Sequence, residues 1–235
     1  LKFGGKSLAN WEGIEKVCEI IAQKQSQGQP IAVVVSARDQ ATNQLEHLLE
    51  AAASGAEYTQ AFEEFKTEQQ QPIPEDILAE DFEQLRQILA GVALVRDYSL
   101  KTKDQLLAFG EVLSVKTLVC LLKIKGVEAQ FLDSRKLIIT NNQFGQAQVQ
   151  EVPSRQQIKQ AVADVAPGVI PVLTGFIGGT EAGETTTLGR NGSNYSAALL
   201  ASYLEAGELQ NFTHVDGIYT ADPNLVPAAQ KIEAL

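Results

Sequence analysis

Ile31-Ala32-Val33-Val34-Val35-Ser36-Ala37 decides the fold class. Its apolar run shows no alternation with polar residues, which is the pattern of a strand covered on both faces. Ser36, the first polar residue, marks its end. Upstream, Trp11, Ile14, Val17, Cys18 and Ile21 recur at helical spacing and stop near Gly28, after a strand end at Leu1-Lys2-Phe3 closed by Gly4-Gly5. Downstream, Thr42 takes the N-cap position of a helix through Leu45, Leu48 and Leu49. Residues 57–83 differ: nine acids, one lysine and a Gln69-Gln70-Gln71 run before Pro72 and Pro74. They read as part of a solvated helical insertion over about 55–98. Beyond it the pattern predicts one long helix over 99–125, a strand at 127–132, a hairpin over 137–150, and a helix at 153–165. A strand at 169–174, a glycine loop, a helix from Ser193 and a strand near 210–215 follow. This alternation argues for an α/β chain: a mostly parallel sheet with helices on both faces, binding ligands at the carboxyl ends of its strands.

The 235 residues fit one large domain or one domain with an insertion, and 44% hydrophobic residues can build its core without staples. With 19 basic against 29 acidic residues the net charge is −10, which excludes the electrostatic footprint of a nucleic-acid binder. No apolar stretch approaches a spanning length, so no membrane partner is expected. Cys18 and Cys120 sit among helix-patterned apolar residues, as buried thiols of a reduced cytoplasmic protein would. Two histidines without a cysteine cluster are too few ligands for zinc, and no metal site is expected. The chain has no methionine and closes at 231–235 in what reads as the start of a helix, so it is expected to be a piece of a longer protein.

Five strand ends carry polar chemistry. At Lys2-Phe3-Gly4-Gly5-Lys6-Ser7 the glycines let backbone approach a ligand and offer N–H groups to phosphate, with the Lys2 ammonium aimed at the same place. A P-loop is excluded, because its first glycine would precede the chain. Ser36 and Thr42 end one strand and open the next helix, which caps alone would also explain. Glu111, after Gly110, lies in line with Leu107, Val115, Leu118 and Leu122, which puts a carboxylate on an apolar stripe. It needs a partner, either an internal cation or the ammonium group of a ligand. Thr174-Gly175-Phe176-Ile177-Gly178-Gly179 and Thr187-Leu188-Gly189-Arg190-Asn191-Gly192-Ser193-Asn194 read as glycine loops, the second placing Arg190 before a helix N-terminus as an anion pocket. Thr213-His214-Val215-Asp216-Gly217-Ile218-Tyr219-Thr220-Ala221-Asp222-Pro223 contains a hairpin signal, and Tyr219 and Asp222 suit an adenine or a ribose.

These motifs occur in the order seen in aspartate kinases, and the chain resembles that family over essentially its whole length. It is most similar to the N-terminal kinase region of bifunctional aspartate kinase–homoserine dehydrogenases. The resemblance implies the amino-acid-kinase fold, a three-layer αβα sandwich, and transfer of the γ-phosphoryl of ATP, with Mg2+, to the β-carboxylate of L-aspartate. It makes Lys2 the lysine that stabilises the transferring phosphoryl group, with Gly4, Gly5 and Ser7 beside the phosphates. Ser36, Thr42, Glu111, Arg190 and Ser193 fall on the aspartate side, with Glu111 taking the α-ammonium and Arg190 a carboxylate. Thr213, His214, Tyr219, Asp222 and Asn224 fall where the family binds the nucleotide. Lys2, Arg190 and Asn194 form the catalytic set.

Three positions depart from the family pattern: Lys6 for Thr, Asn194 for Asp and His214 for Asp. The usual Asp at 194 organises the catalytic lysine, so an active but retuned site is expected. Within the fold, acetylglutamate kinase, glutamate 5-kinase and uridylate kinase are the neighbours; the Gly-Glu helix and the Tyr-Thr-Ala-Asp-Pro loop favour aspartate kinase. A catalytically silent domain that binds aspartate or nucleotide for regulation is the alternative. A dinucleotide-binding domain is excluded by the absence of Gly-x-Gly-x-x-Gly. Regulatory domains, any dehydrogenase, the family's later Gly-Ala-Lys segment and much of a homo-oligomer interface would lie beyond Leu235.

Overall fold

Val33 and Val35 pack into one apolar cluster and Val34 into another. This is what strand geometry imposes on an apolar run, since successive side chains point to opposite faces. The computed structural model describes residues 1–213, 217–221, 225–226 and 228–232. Strands β1 (Lys2–Phe3), β2 (Val33–Val35), β3 (Ala129–Leu132), β5 (Ile170–Thr174) and β8 (Asn211–Phe212) form a parallel sheet in the order β3-β5-β2-β1-β8. One face is covered by α1 (Trp11–Ser26), α2 (Ala41–Ser54), α3 (Thr59–Gln70), α4 (Ala79–Val95), α5 (Leu100–Leu107) and α6 (Phe109–Ile124). Against the other lie α7 (Glu151–Ala163) and α8 (Gly192–Tyr203), through Ile158, Ala197, Leu200 and Tyr203 on Val34 and Leu173. These are the three αβα layers expected.

A second sheet holds β4 (Ile139–Thr140), β6 (Ile177–Thr180) and β7 (Thr185–Thr187), and β9 (Ile218–Tyr219) pairs with β10 (Lys231–Ile232), a strand where the sequence reads as the start of a helix. The hairpin expected over 137–150 is short: Thr140 bridges Val149 antiparallel, with the Asn141 amide donating to Gln148 O at 3.0 Å and the Gln150 amide to Ile139 O at 2.8 Å, while the other edge of β4 pairs in parallel with β6. The strand near 210–215 is seen at Asn211–Phe212; residues 214–215 lie outside the described residues.

Four local expectations are corrected. The long helix over 99–125 is two helices turning at Ala108. α5 is held to β7 by the Asp104 carboxylate, while α6 runs along the sheet against Ala37. Thr42 is not an N-cap: α2 starts at Ala41, after Gln40, and neither residue supplies a side-chain cap. Trp11 is 43% exposed, since it is the first helical residue and burial of that face begins one turn later, at Ile14. The segment 177–180, read as a glycine loop, is strand β6. A Cβ on Gly178 would meet the Ile138 carbonyl at 2.7 Å and one on Gly179 the Arg135 carbonyl at 2.1 Å, so these glycines admit neighbouring backbone rather than a ligand.

The acidic stretch is helical, and its inner face is core. Phe62 and Phe65 of α3, with Phe82, Leu85 and Leu89 of α4, recur at spacings of three and four and join the main apolar cluster. Phe65 meets Phe82 edge-on with ring centroids 6.5 Å apart. Phe65→Ala should therefore cost about 3–5 kcal/mol of stability in urea unfolding followed by circular dichroism, and Glu63→Ala, on the exposed face, less than about 0.5.

Candidate active site

The carboxyl ends of β1, β2 and β5 open into a cleft of about 720 Å³. Lys2, Gly5, Ser36, Thr42, Glu111, Arg190, Ser193 and Asn194 all line it, although they come from four separate stretches of the sequence, 2–5, 36–42, 111 and 190–194. Gly4, Ser7, Thr213 and Tyr219 do not line this cleft, whereas His214, Asp222 and Asn224 lie outside the described residues. Ser7 instead turns its hydroxyl to the Phe212 carbonyl at 3.5 Å, which ties the first turn to β8.

Glu111 sits in the first turn of α6 and is 3% exposed. Its Oε1 accepts the Ala37 amide at 3.2 Å, and its Oε2 has no hydrogen-bond partner. Burial pushes the carboxyl up to about 8, with the Ala37 hydrogen bond opposing. Of the two partners open to this carboxylate, an internal cation is not present among the described residues, and the orphaned oxygen is left for a ligand. Gly110 allows the arrangement: a Cβ there would meet the Ala37 side chain at 2.9 Å and the Thr42 hydroxyl at 3.8 Å. Any larger residue would hold α6 off the end of β2.

Lys2 is in register with Val34, and Val34 with Leu173, so its stem continues an apolar row on the α8 face. The residue is 7% exposed, and its ammonium makes no hydrogen bond or ion pair among the described residues. Burial lowers its proton affinity below that of an ordinary lysine. Gly4 lies beside it, with a would-be Cβ 3.4 Å from Nζ. Gly5 is required for packing: a Cβ would meet the Ala37 carbonyl at 2.5 Å, and the Asp39 amide donates to the Gly5 carbonyl at 3.0 Å.

Opposite, the chain enters α8 through Gly189 at φ 74° and Asn191 at φ 61°, both left-handed, leaving exposed Arg190 between them with no ion pair among the described residues. Gly175 accepts the close approach of this segment, since a Cβ there would meet the Ser193 side chain at 2.7 Å. Asn194 is exposed and its side chain makes no hydrogen bond among the described residues.

Asp104 is the residue that sequence reasoning missed. It is 2% exposed, and it accepts the Gly145 amide at 2.8 Å, the Thr187 amide at 2.9 Å and the Thr187 hydroxyl at 2.8 Å. Burial raises its pKa, and those hydrogen bonds act against the shift. It stitches the loop around Gly145 to the end of β7, three residues before Arg190. Its spacing from Leu107 and Glu111 puts it on the same apolar stripe, and that was the available signal. Lys103, next to it, pairs with Glu46 across the cleft wall, and Lys101 with Glu184 at 2.7 Å. Phe176, also on the cleft wall, holds a left-handed φ of 65° and was likewise not anticipated.

A family model described as the amino acid kinase family matches residues 1–235. The chain belongs to that family. Lysine-sensitive aspartokinase 3 of Escherichia coli is 34% identical over all of this chain and 53% of its own length. A bifunctional aspartokinase/homoserine dehydrogenase of Buchnera aphidicola is 30% identical over all of this chain and 30% of its own. The crystal structure of E. coli aspartokinase III in complex with aspartate and ADP (R-state) superposes with a TM-score of 0.84 at 31% identity, covering 98% of this chain and 52% of that one. The chain thus spans about half the length of the aspartokinase 3 it matches. As an amino acid kinase domain it carries the αβα sheet order and strand-end cleft described above.

Asp104→Ala strips the acceptor from three buried donors and should cost about 1–3 kcal/mol in urea unfolding, more than Asp104→Asn, whose amide oxygen can still accept from the Gly145 and Thr187 amides.

Proposed function

We propose that this chain is the kinase region of an aspartate kinase, transferring the γ-phosphoryl group of ATP to the β-carboxylate of L-aspartate. The observation that carries the reading is the charge inventory of the cleft: one buried carboxylate with a free oxygen, Glu111, faces a space that also receives two unpaired cations, Lys2 and Arg190. A substrate that complements it has an ammonium group for Glu111, a carboxylate for Arg190, and a neighbouring phosphoryl group for Lys2. An amino acid with a second carboxylate, held beside a nucleoside triphosphate, has that pattern. The aspartokinase relatives and the aspartate and ADP named in the superposed structure support it.

The acceptor is its own nucleophile. A β-carboxylate is ionised at neutral pH, with a free pKa near ~3.9, so the protein has no proton to remove from it. What this chain supplies is positioning and charge. Glu111 and Arg190 fix the two ends of aspartate, with Ser36, Thr42 and Ser193 around it, and the N-terminus of α8 adds its dipole to Arg190. Lys2, poorly solvated and unpaired, stabilises charge on the transferring group where water competes little. Gly4, Gly5 and Ser7 are assigned to the phosphates, and Thr213, His214, Tyr219, Asp222 and Asn224 to the nucleotide, by the family pattern. Mg2+ would enter with the nucleotide, held chiefly by its phosphate oxygens and water, and would neutralise charge on the transferring group.

Asn194 tests how much the site depends on the family's Asp. With Asn194 in place of Asp and Lys6 in place of Thr, the site is about two charge units more positive toward a triphosphate. The same reading takes the protein as a cytoplasmic homo-oligomer, as the family resemblance implies. Aspartate-dependent ADP release by the full-length protein, with the acyl phosphate trapped as a hydroxamate, should be positive in the unmodified protein and in Asn194→Asp. Hydroxamate from Asn194→Asp alone would identify a binding domain that has lost its chemistry, and none from either would refute the kinase reading.

A further inference from the structure

Arg38 is 7% exposed and has no carboxylate at ion-pair distance among the described residues. Every acceptor around its guanidinium is a main-chain carbonyl. Nε donates to Leu8 O at 3.2 Å, and Nη1 faces Glu68 O at 3.2 Å, Gln69 O at 3.3 Å and Gln71 O at 3.2 Å. Glu68 and Gln69 belong to the last turn of α3, where carbonyls have no helical donor and the helix dipole is negative. The Glu68 carboxylate itself is engaged by the Gln44 amide at 2.8 Å. A weakly hydrated, planar cation suits such a cage better than an ammonium does. Burial works against the charge here, and Glu68 supports it.

The cage joins three segments. Leu8 closes the turn Gly5–Leu8 that follows β1, and Glu68 to Gln71 end the acidic helix. Arg38 itself sits between the Ala37 amide, which binds Glu111, and the Asp39 amide, which binds the Gly5 carbonyl at 3.0 Å. Asp39 has φ 24°, so the turn is held in a conformation it would not choose unaided. Arg38 does not itself line the cleft.

We propose that Arg38 is a positioning residue: a built-in cation in a carbonyl cage that fixes the Ala37 amide against Glu111 and the Gly5 turn against β2, with the end of α3 as its anchor. The inference rests on the aspartate-site reading of the cleft. Its consequence is that aspartate affinity depends on a side chain that touches no substrate, and that the acidic helices are coupled to the site through it.

Arg38→Ala leaves an empty cage of desolvated carbonyls, which an added guanidinium ion can fill. In the full-length protein the variant should raise the aspartate KM about tenfold or more while kcat changes less. Guanidinium chloride at about 10 mM, far below denaturing concentration, should restore most of that loss and raise the melting temperature of the variant but not of the unmodified protein. An unchanged KM in Arg38→Ala, or a loss that guanidinium does not recover, would overturn the proposal. Should Arg38→Ala not fold, Arg38→Lys decides: its ammonium cannot serve Leu8 and the α3 carbonyls together. A raised aspartate KM near parental kcat supports the proposal. A parental KM with only a lowered melting temperature overturns it, because the cage then serves stability alone. Calorimetric aspartate binding separates the two readings. If the unmodified protein binds aspartate without releasing ADP, the kinase reading fails and the affinity of Arg38→Ala still decides this proposal. If it binds no aspartate, both fall.

Discussion

A carboxylate with one oxygen bonded and one orphaned, on a side chain 3% exposed, is expensive to keep in a folded protein. Glu111 is kept there by everything around the end of β2. Gly110 lets α6 come within contact of Ala37, the Ala37 amide supplies the single hydrogen bond, and the 37–39 turn is pinned in turn by Gly5 and by Arg38. The cost is not compensated within the described residues. A folded chain that bears such a cost at the carboxyl edge of a parallel sheet, beside two unpaired cations, is organised to recover it from a ligand.

The electrostatics of the molecule are divided. The net charge is −10, and much of the acidic excess lies over 57–83, nine acids against one lysine, where every acid but Asp81 is exposed and solvated. The cleft instead presents Lys2 and Arg190 without internal partners, and the nearby cations Lys101 and Lys103 are spent on Glu184 and Glu46. Paired lysines brace α5 against its neighbours, whereas the unpaired Lys2 and Arg190 face the space where phosphate and carboxylate would sit. Asp104 completes the frame by holding the Gly145 loop and β7 in register with the Arg190 turn.

What the sequence made legible follows from what each pattern physically constrains. The apolar run ending at Ser36 had to be a strand covered twice, and its valines divide between two cores as that requires. Glu111 was legible because a charge on an apolar stripe has no other explanation than a partner. Asp104 lies on the same stripe and was legible by the same logic. Other features were not legible. Gly178 and Gly179 carry the same letters whether a ligand or another strand approaches, and only the tertiary fold distinguishes Arg135 and Ile138 from a phosphate. The acidic count over 57–83 concealed a phenylalanine stripe, because charge density describes the outer face of a helix and says nothing of the inner one. Arg38 has acceptors about thirty residues away on either side, and no local spacing signals them.

The central claim is that the free oxygen of Glu111 is a receptor for an ammonium group. Its carboxyl is held near 8 by burial, so below that pH the unliganded cleft carries the proton, and only the ionised form pairs with an ammonium group. Aspartate must therefore displace a proton to bind between about pH 6 and 8, and its affinity must rise with pH across that window, by up to about tenfold per unit, then level off. Calorimetric titration with aspartate near pH 7, in buffers of different ionisation enthalpy, measures the proton directly. The account predicts release approaching one proton per aspartate bound, abolished in Glu111→Gln. Binding that releases no proton and is independent of pH over this range would contradict it.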